Sequence, residues 1–146
     1  MLRGSHPARV DEKGRLKIPA AFLTELREDD GEEFFVTSFN GQFVRVYPLR
    51  EWKRIEERLA TTGSMDRVKR KFLNLVNYYG QVVTMDKQGR ILIPGLVRET
   101  AAMKGEVMVL GQTTFLDVWN RQRLVDDMRK NQLTADEENQ LGQMGV

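Results

Sequence analysis

Residues 10–19 read VDEKGRLKIP and residues 85–94 read MDKQGRILIP. Asp, Gly, Arg, Ile and Pro coincide at five of these ten positions, and Leu16/Ile91 and Val10/Met85 are conservative exchanges. A chain that carries the same turn twice builds two similar units, and such a repeat constrains the fold more than any local propensity does. The likeness continues downstream, where residues 43–47 (FVRVY) align with residues 115–119 (FLDVW), each followed by a charged, helix-like run at 50–59 and 121–133. Two units result, 1–63 and 81–133, joined by a connecting helix at 64–80 and followed by an acidic tail at 134–146. Two copies are too few for a solenoid, so a pseudo-symmetric pair is expected.

Within each unit the patterning predicts the same order of elements. Leu16, Lys17 and Ile18 alternate apolar and polar, as a half-buried strand does, and Pro19 then opens a short helix over 20–26. In the second copy Ile91, Leu92 and Ile93 are all apolar, which predicts a strand buried on both faces. Residues 33–39 and 42–47 flank Asn40-Gly41, the signature of a two-residue hairpin whose central positions both take positive φ. Residues 106–110 and 114–119 form the matching pair. Leu49, Trp52, Ile55 and Leu59 recur at helical spacing, as do Val68, Phe72, Leu75 and Tyr79, with Gly63 and Gly80 at the expected helix stops. Thr134 and Glu137 have the spacing of a capping box for a short tail helix, and the last residues are expected to fray.

Composition narrows the function classes. Apolar residues make up 40% and charged residues 30% of the 146, a soluble globular balance without a stretch long enough to span a membrane. The opening residues lack the apolar centre of a secretory leader, which predicts a cytoplasmic protein. With no Cys and a single His, His6, the chain lacks thiolate and His-based metal sites, and no cofactor is expected. No Ser/His/Asp triad, P-loop or acid/base carboxylate pair is present, which argues against an enzyme. The net charge of +2 is uneven: the basic surplus lies in the first half, and residues 100–146 carry five Lys/Arg against seven Asp/Glu. Such a surplus permits contact with nucleic acid without requiring it.

The duplicated turn carries the chemistry. In Asp11-x-x-Gly14-Arg15 and Asp86-x-x-Gly89-Arg90 the glycine supplies a left-handed backbone and the aspartate accepts a backbone N–H two or three residues on. The arginine opens the outgoing strand, where its fork of donors suits a carboxylate, a phosphate or the O6/N7 edge of guanine. Two readings stay open. The Asp and Arg brace the turn against each other, or a pseudo-dyad presents two Arg-bearing turns to a duplex whose backbones are themselves dyad-related.

DEKGRLKIP and DKQGRILIP, with the opening Met1-x-x-Gly4, resemble the MraZ family over nearly the whole chain, from Met1 to about Leu133. The resemblance implies an α+β fold, a duplicated swapped-hairpin AbrB-like β-barrel with flanking helices and both halves in one chain. It implies a sequence-specific regulator, a repressor of the division and cell wall gene cluster, binding repeats upstream of its own operon. The partners implied are double-stranded DNA with tandem promoter repeats, and further copies of the chain in a ring. The expected location is cytoplasmic and nucleoid-associated. Carried over by position, Asp11, Gly14, Asp86 and Gly89 form the turns. Arg15 and Arg90 are the main DNA contacts, with Lys13, Arg3, Arg9, Lys17 and Lys87 as further cations. The chain departs from the family pattern at Leu2 and Val10, and at Leu23, where an Arg often follows Phe22. Gln88 occupies the second-copy place of Lys13, so the two turns are not equivalent. An AbrB-type antitoxin-like module and a ring-forming assembly protein without specific DNA binding are the rival readings.

Other clusters read as ordinary surface or core. Asp29, Asp30, Gly31, Glu32 and Glu33 lack the ligand spacing of a Ca²⁺ loop and predict a solvated loop. Trp52, Tyr78, Tyr79 and Trp119 fall on apolar stripes and read as core, not as base-stacking platforms. Arg67, Lys69, Arg70 and Lys71 suit a solvated helix face, an auxiliary phosphate contact or a subunit contact. His6 reads as a flexible N-terminal side chain.

Overall fold

The computed structural model describes residues 1–29, 31–63 and 66–146, so Asp30 of the acidic loop and Ser64 and Met65 of the connecting segment lie outside the described residues. The first copy runs β1 (Ser5–Val10), β2 (Arg15–Lys17), α1 (Ala20–Asp29), β3 (Glu33–Thr37), β4 (Val44–Pro48) and α2 (Leu49–Ala60). After α3 (Arg67–Tyr79) the order recurs as β5 (Gln81–Thr84), β6 (Arg90–Leu92), α4 (Gly95–Thr100), β7 (Gly105–Gly111), β8 (Leu116–Asn120) and α5 (Arg121–Lys130), and α6 (Ala135–Gln143) ends the chain.

All eight strands form one antiparallel sheet in the order β5-β3-β4-β8-β7-β1-β2-β6. Its two end strands, β5 and β6, approach each other across the second Asp-Gly-Arg turn and nearly close the sheet into a barrel. Only β1–β2, β3–β4 and β7–β8 are pairings within a copy. The other four, β1–β7, β2–β6, β3–β5 and β4–β8, join one copy to the other. The hairpins are thus interleaved, as an α+β AbrB-like swapped-hairpin barrel requires. A local pseudo-dyad passes between Leu16 and Ile91 in the β2/β6 ribbon. Around it Ile18 N–H donates to the Gly89 carbonyl and Ile93 N–H to the Gly14 carbonyl, both at 2.9 Å.

Leu16, Ile18, Ile91 and Ile93 are buried at the centre of the barrel, with Phe22, Leu26, Phe34, Val46, Val109 and Val118 around them. A second cluster, Phe35, Tyr47, Trp52 and Val76, lies beneath α2 and α3. Strand β3 is buried on both faces because Phe34 and Val36 enter the barrel while Phe35 meets this second cluster. Thr37 also lies beneath the helices, where its hydroxyl donates to the Val76 carbonyl at 2.6 Å.

Several expectations are corrected. Leu92 is 39% exposed, so β6 has one buried face and one open face: in a barrel only the inward side of a strand meets the core. Residues 38–43 form a longer loop in place of a two-residue turn. Gly41 has φ +74 but Asn40 does not take positive φ, and the Ser38 hydroxyl organises the loop by accepting from Gly41 N–H at 2.8 Å and donating to the Phe43 carbonyl. Val68 is 77% exposed, and the buried position of α3 is Val76, because the helix meets the sheet with its C-terminal half. Tyr78 is exposed, whereas Trp119 is half-buried and stacks on Phe43 at 4.5 Å. His6 is held in β1 opposite Val109, its ring perpendicular to that of Phe22 with centroids 5.1 Å apart. Helix α1 runs on to Asp29, beyond the expected end at residue 26.

Candidate nucleic-acid interface

The two turns repeat one another bond for bond. In the first, Asp11 Oδ1 accepts from the N–H groups of Lys13 (3.0 Å) and Arg15 (2.9 Å), while Oδ2 accepts from Arg15 Nε at 3.0 Å. In the second, Asp86 Oδ1 accepts from Gln88 and Arg90 N–H, both at 2.9 Å, and Oδ2 from Arg90 Nε at 2.9 Å. Backbone bonds close each loop, with Gly14 donating to Asp11 and Gly89 to Asp86. Gly14 and Gly89 take φ of +84 and +76, a region that costs other residues roughly 1–2 kcal/mol. Backbone donation from Arg15 and Arg90 is the largest influence holding the Asp11 and Asp86 carboxyls below the usual aspartate range. The bracing contact between Asp and Arg is therefore real, and it uses only Nε. Among the described residues no protein partner engages the two terminal nitrogens of either guanidinium, and both side chains remain about one-third exposed.

Strand alternation aims Arg15 and Lys17, and Arg90 and Leu92, outward from the ribbon, with Arg15 opposite Leu92 and Lys17 opposite Arg90. Arg9 arrives from the end of β1, and the β1–β7 register brings in Lys104 just before Gly105. An open cleft of about 570 Å³ results, lined by the five cations Arg9, Arg15, Lys17, Arg90 and Lys104 and by the two carboxylates Asp11 and Glu12. Lys13 and Lys87 are exposed on the two turns themselves. Arg3 is not part of this surface; it precedes β1 and lines a separate cleft with Glu25 and Glu28.

Sequence reasoning missed Lys104, which only the strand register brings to the cleft, and it missed the residues that support the turns. The Lys17 ammonium donates to the Gln88 carbonyl and Arg27 Nη2 to the Lys87 carbonyl at 3.2 Å, so two first-copy cations hold the second turn. Arg98, at the second-copy position matching Leu23, packs on Gly14 and donates to the Ile93 carbonyl at 3.0 Å. The Arg absent at position 23 is therefore present in the other copy, where it supports the first turn.

Among the described residues no group of His, Asp and Glu side chains is placed to hold a metal ion, and no helix is long and apolar enough to cross a membrane. A strand-swapped barrel with an Arg-bearing turn in each half belongs to the AbrB-like class in which one chain supplies both halves. The family model described as "MraZ protein, putative antitoxin-like" matches residues 1–75 and 80–143. The chain is 47% identical to the transcriptional regulator MraZ of Acidobacterium capsulatum and 48% identical to that of Koribacter versatilis, in each case over the full length of both chains. It is 38% identical over 122 residues to the transcriptional regulator MraZ of Caldanaerobacter subterraneus, covering 84% of this chain and 82% of that one. The chain belongs to the MraZ family.

Proposed function

We propose that the chain is a non-enzymatic, sequence-specific DNA-binding transcriptional regulator whose DNA face is the β2/β6 ribbon with its two turns. The observation that carries this reading is the gathering of Arg9, Arg15, Lys17, Arg90 and Lys104 in one cleft, with Arg15 and Arg90 related by the pseudo-dyad and their forks braced at Nε and open at their tips. Bracing fixes the direction of each guanidinium and lowers the entropy lost when it meets a phosphate or a guanine edge. Arg15 and Arg90 are the principal contacts. Lys13, Lys17, Arg9, Lys87 and Lys104 neutralise phosphates, and Arg3 acts only where the duplex extends beyond the cleft. The names of the relatives support regulation of transcription.

The finer reading follows the family resemblance. The two units 1–63 and 81–133, linked by 64–80 and trailed by 134–146, form one DNA-reading barrel. Copies of it assemble into a ring on tandem repeats upstream of the chain's own operon and repress the division and cell wall genes there, in the cytoplasm at the nucleoid. A mobility-shift titration with that upstream DNA, against a scrambled duplex of equal length, tests the reading. Preference for the upstream duplex is expected. Equal affinity for both leaves a ring-forming protein without specific recognition.

A further inference from the structure

Element order places α6 after α5 as α3 follows α2, yet the two trailing helices differ in what they cover. Helix α3 buries Val76 and packs Phe72 against the aromatic cluster, whereas α6 buries no residue at all. Its fold is nevertheless secured locally: the Thr134 hydroxyl accepts from Glu137 N–H at 3.2 Å and the Glu137 carboxylate accepts from Thr134 N–H at 2.9 Å, a complete capping box. Leu141 is half-buried, and Leu133 and Met144 are 63% and 74% exposed. Glu137 and Glu138 lie one turn ahead of Leu141 on the same side of the helix. Asp136, Glu137 and Glu138 are the only charged residues of α6.

The opposite character is found between α2 and α3. Ile55, Leu59, Val68 and Phe72 line an open, mainly apolar groove of about 470 Å³, with the cations Arg58 and Lys69 and one carboxylate, Asp66, also in its wall. That carboxylate is engaged as the N-cap of α3, accepting from Val68 and Lys69 N–H. Arg67, Arg70 and Lys71 add to the charge, and α3 carries no acidic residue. The volume suits two or three aliphatic side chains, and the basic wall matches an acidic helix.

We propose that α6 of one copy docks in the α2/α3 groove of a second copy, with Leu141 and Met144 against Ile55, Leu59 and Phe72, and Glu137 and Glu138 toward Arg58 and Lys69. Groove and helix are different surfaces, so the contact is heterologous, and each copy gives one helix and receives another. The assignment makes Lys69 a subunit-facing residue, not a DNA contact. It deepens the assembly in the functional reading and does not depend on which DNA is bound.

The chain has no cysteine, so introduced thiols report the contact cleanly. Full-length Thr62→Cys protein is mixed with full-length Gln140→Cys protein and oxidised, and the solution mass of Leu141→Asp, Lys69→Glu, Glu138→Lys and the Lys69→Glu/Glu138→Lys double variant is measured by light scattering. The expected result is a disulfide between unlike chains and a dissociation constant of the assembly raised about tenfold or more by Leu141→Asp. Each single charge reversal should also weaken the assembly, and the double reversal should restore it. Unchanged mass in Leu141→Asp, a monomeric parent protein, or a cross-link that forms only within one chain when both cysteines are present would overturn the proposal. Affinity for a single DNA repeat separates the two readings. Loss of that affinity in Lys69→Glu at unchanged mass makes the basic run a phosphate contact, which overturns the docking and leaves DNA binding intact.

Discussion

Asp11 and Asp86 each accept two backbone N–H groups and one guanidinium N–H, and this threefold acceptance makes the carboxylate form part of the turn. Because both carboxyls sit below their ordinary range in the folded chain, their stabilising effect is complete at pH values above the unfolded aspartate value. It is lost as pH falls through the lowered folded value. Thermal melts of Asp11→Asn/Asp86→Asn and the parent chain should therefore differ at pH 7 and converge at the acidic end; a constant gap at every pH contradicts this account of the turn. The glycines make a second, independent requirement. Gly14→Ala and Gly89→Ala should each cost about 1–2 kcal/mol by denaturant titration from the positive φ alone. Gly14→Ala should also displace Arg98, whose Nη1 lies 1.6 Å from where the new Cβ would be. Residues of this kind are legible in the sequence because their chemistry is local: Asp, Gly and Arg at fixed offsets write the same turn twice.

At the level of elements, legibility depends on whether the partner lies near in sequence. The alternation through Leu16 and Ile18, and Ile91 and Ile93, marks the strands of the barrel, since inward positions on a strand recur every second residue. Leu92 misleads because an apolar side chain on the outward face reads the same as one on the inward face. Val68 misleads because helical spacing does not say which half of α3 meets the sheet. Lys104 beside Arg9, Arg98 against Gly14 and Arg27 on the Lys87 carbonyl are invisible from sequence since these contacts join one copy to the other. The same holds for the centre of the β4–β8 pairing, where Arg45 faces Asp117 and binds it through Nε at 2.8 Å and Nη2 at 3.3 Å, between the rings of Phe39 and Phe115 at 4.5 Å each. Burial pushes the Asp117 carboxyl up and donation from Arg45 opposes that push. Asp117→Ala strands a cation whose side chain is only 18% exposed, so a loss of about 3–5 kcal/mol is expected by denaturant titration. Arg45→Met/Asp117→Leu should recover most of it, and a double variant as unstable as the single one would show that the pair holds β4 to β8 in a way packing cannot replace.

For the whole molecule, a cleft of five cations against two carboxylates neutralises only a few phosphates, and a protein doing so binds weakly at physiological salt. In the proposed assembly, linked barrels engaging tandem repeats would multiply modest affinities by roughly 10²–10⁴. Affinity is therefore expected to rise steeply from one repeat to two and three at natural spacing and to fall when the spacing shifts by half a helical turn; equal affinity for one and three repeats would remove avidity from the account. The claim on which everything else rests is that Arg15 and Arg90 meet DNA and do not merely close their turns. It is tested most directly by the slope of log affinity against log salt for the parent chain and for Arg15→Ala/Arg90→Ala on one duplex, with melting temperatures taken alongside. If each arginine neutralises a phosphate, the slope becomes shallower by about 2 in the double variant, and guanine discrimination of about 1–3 kcal/mol per arginine goes with it where a base is read. The protein stays folded at the assay temperature. An unchanged slope with a large drop in melting temperature would make these arginines turn braces alone and place the DNA face elsewhere.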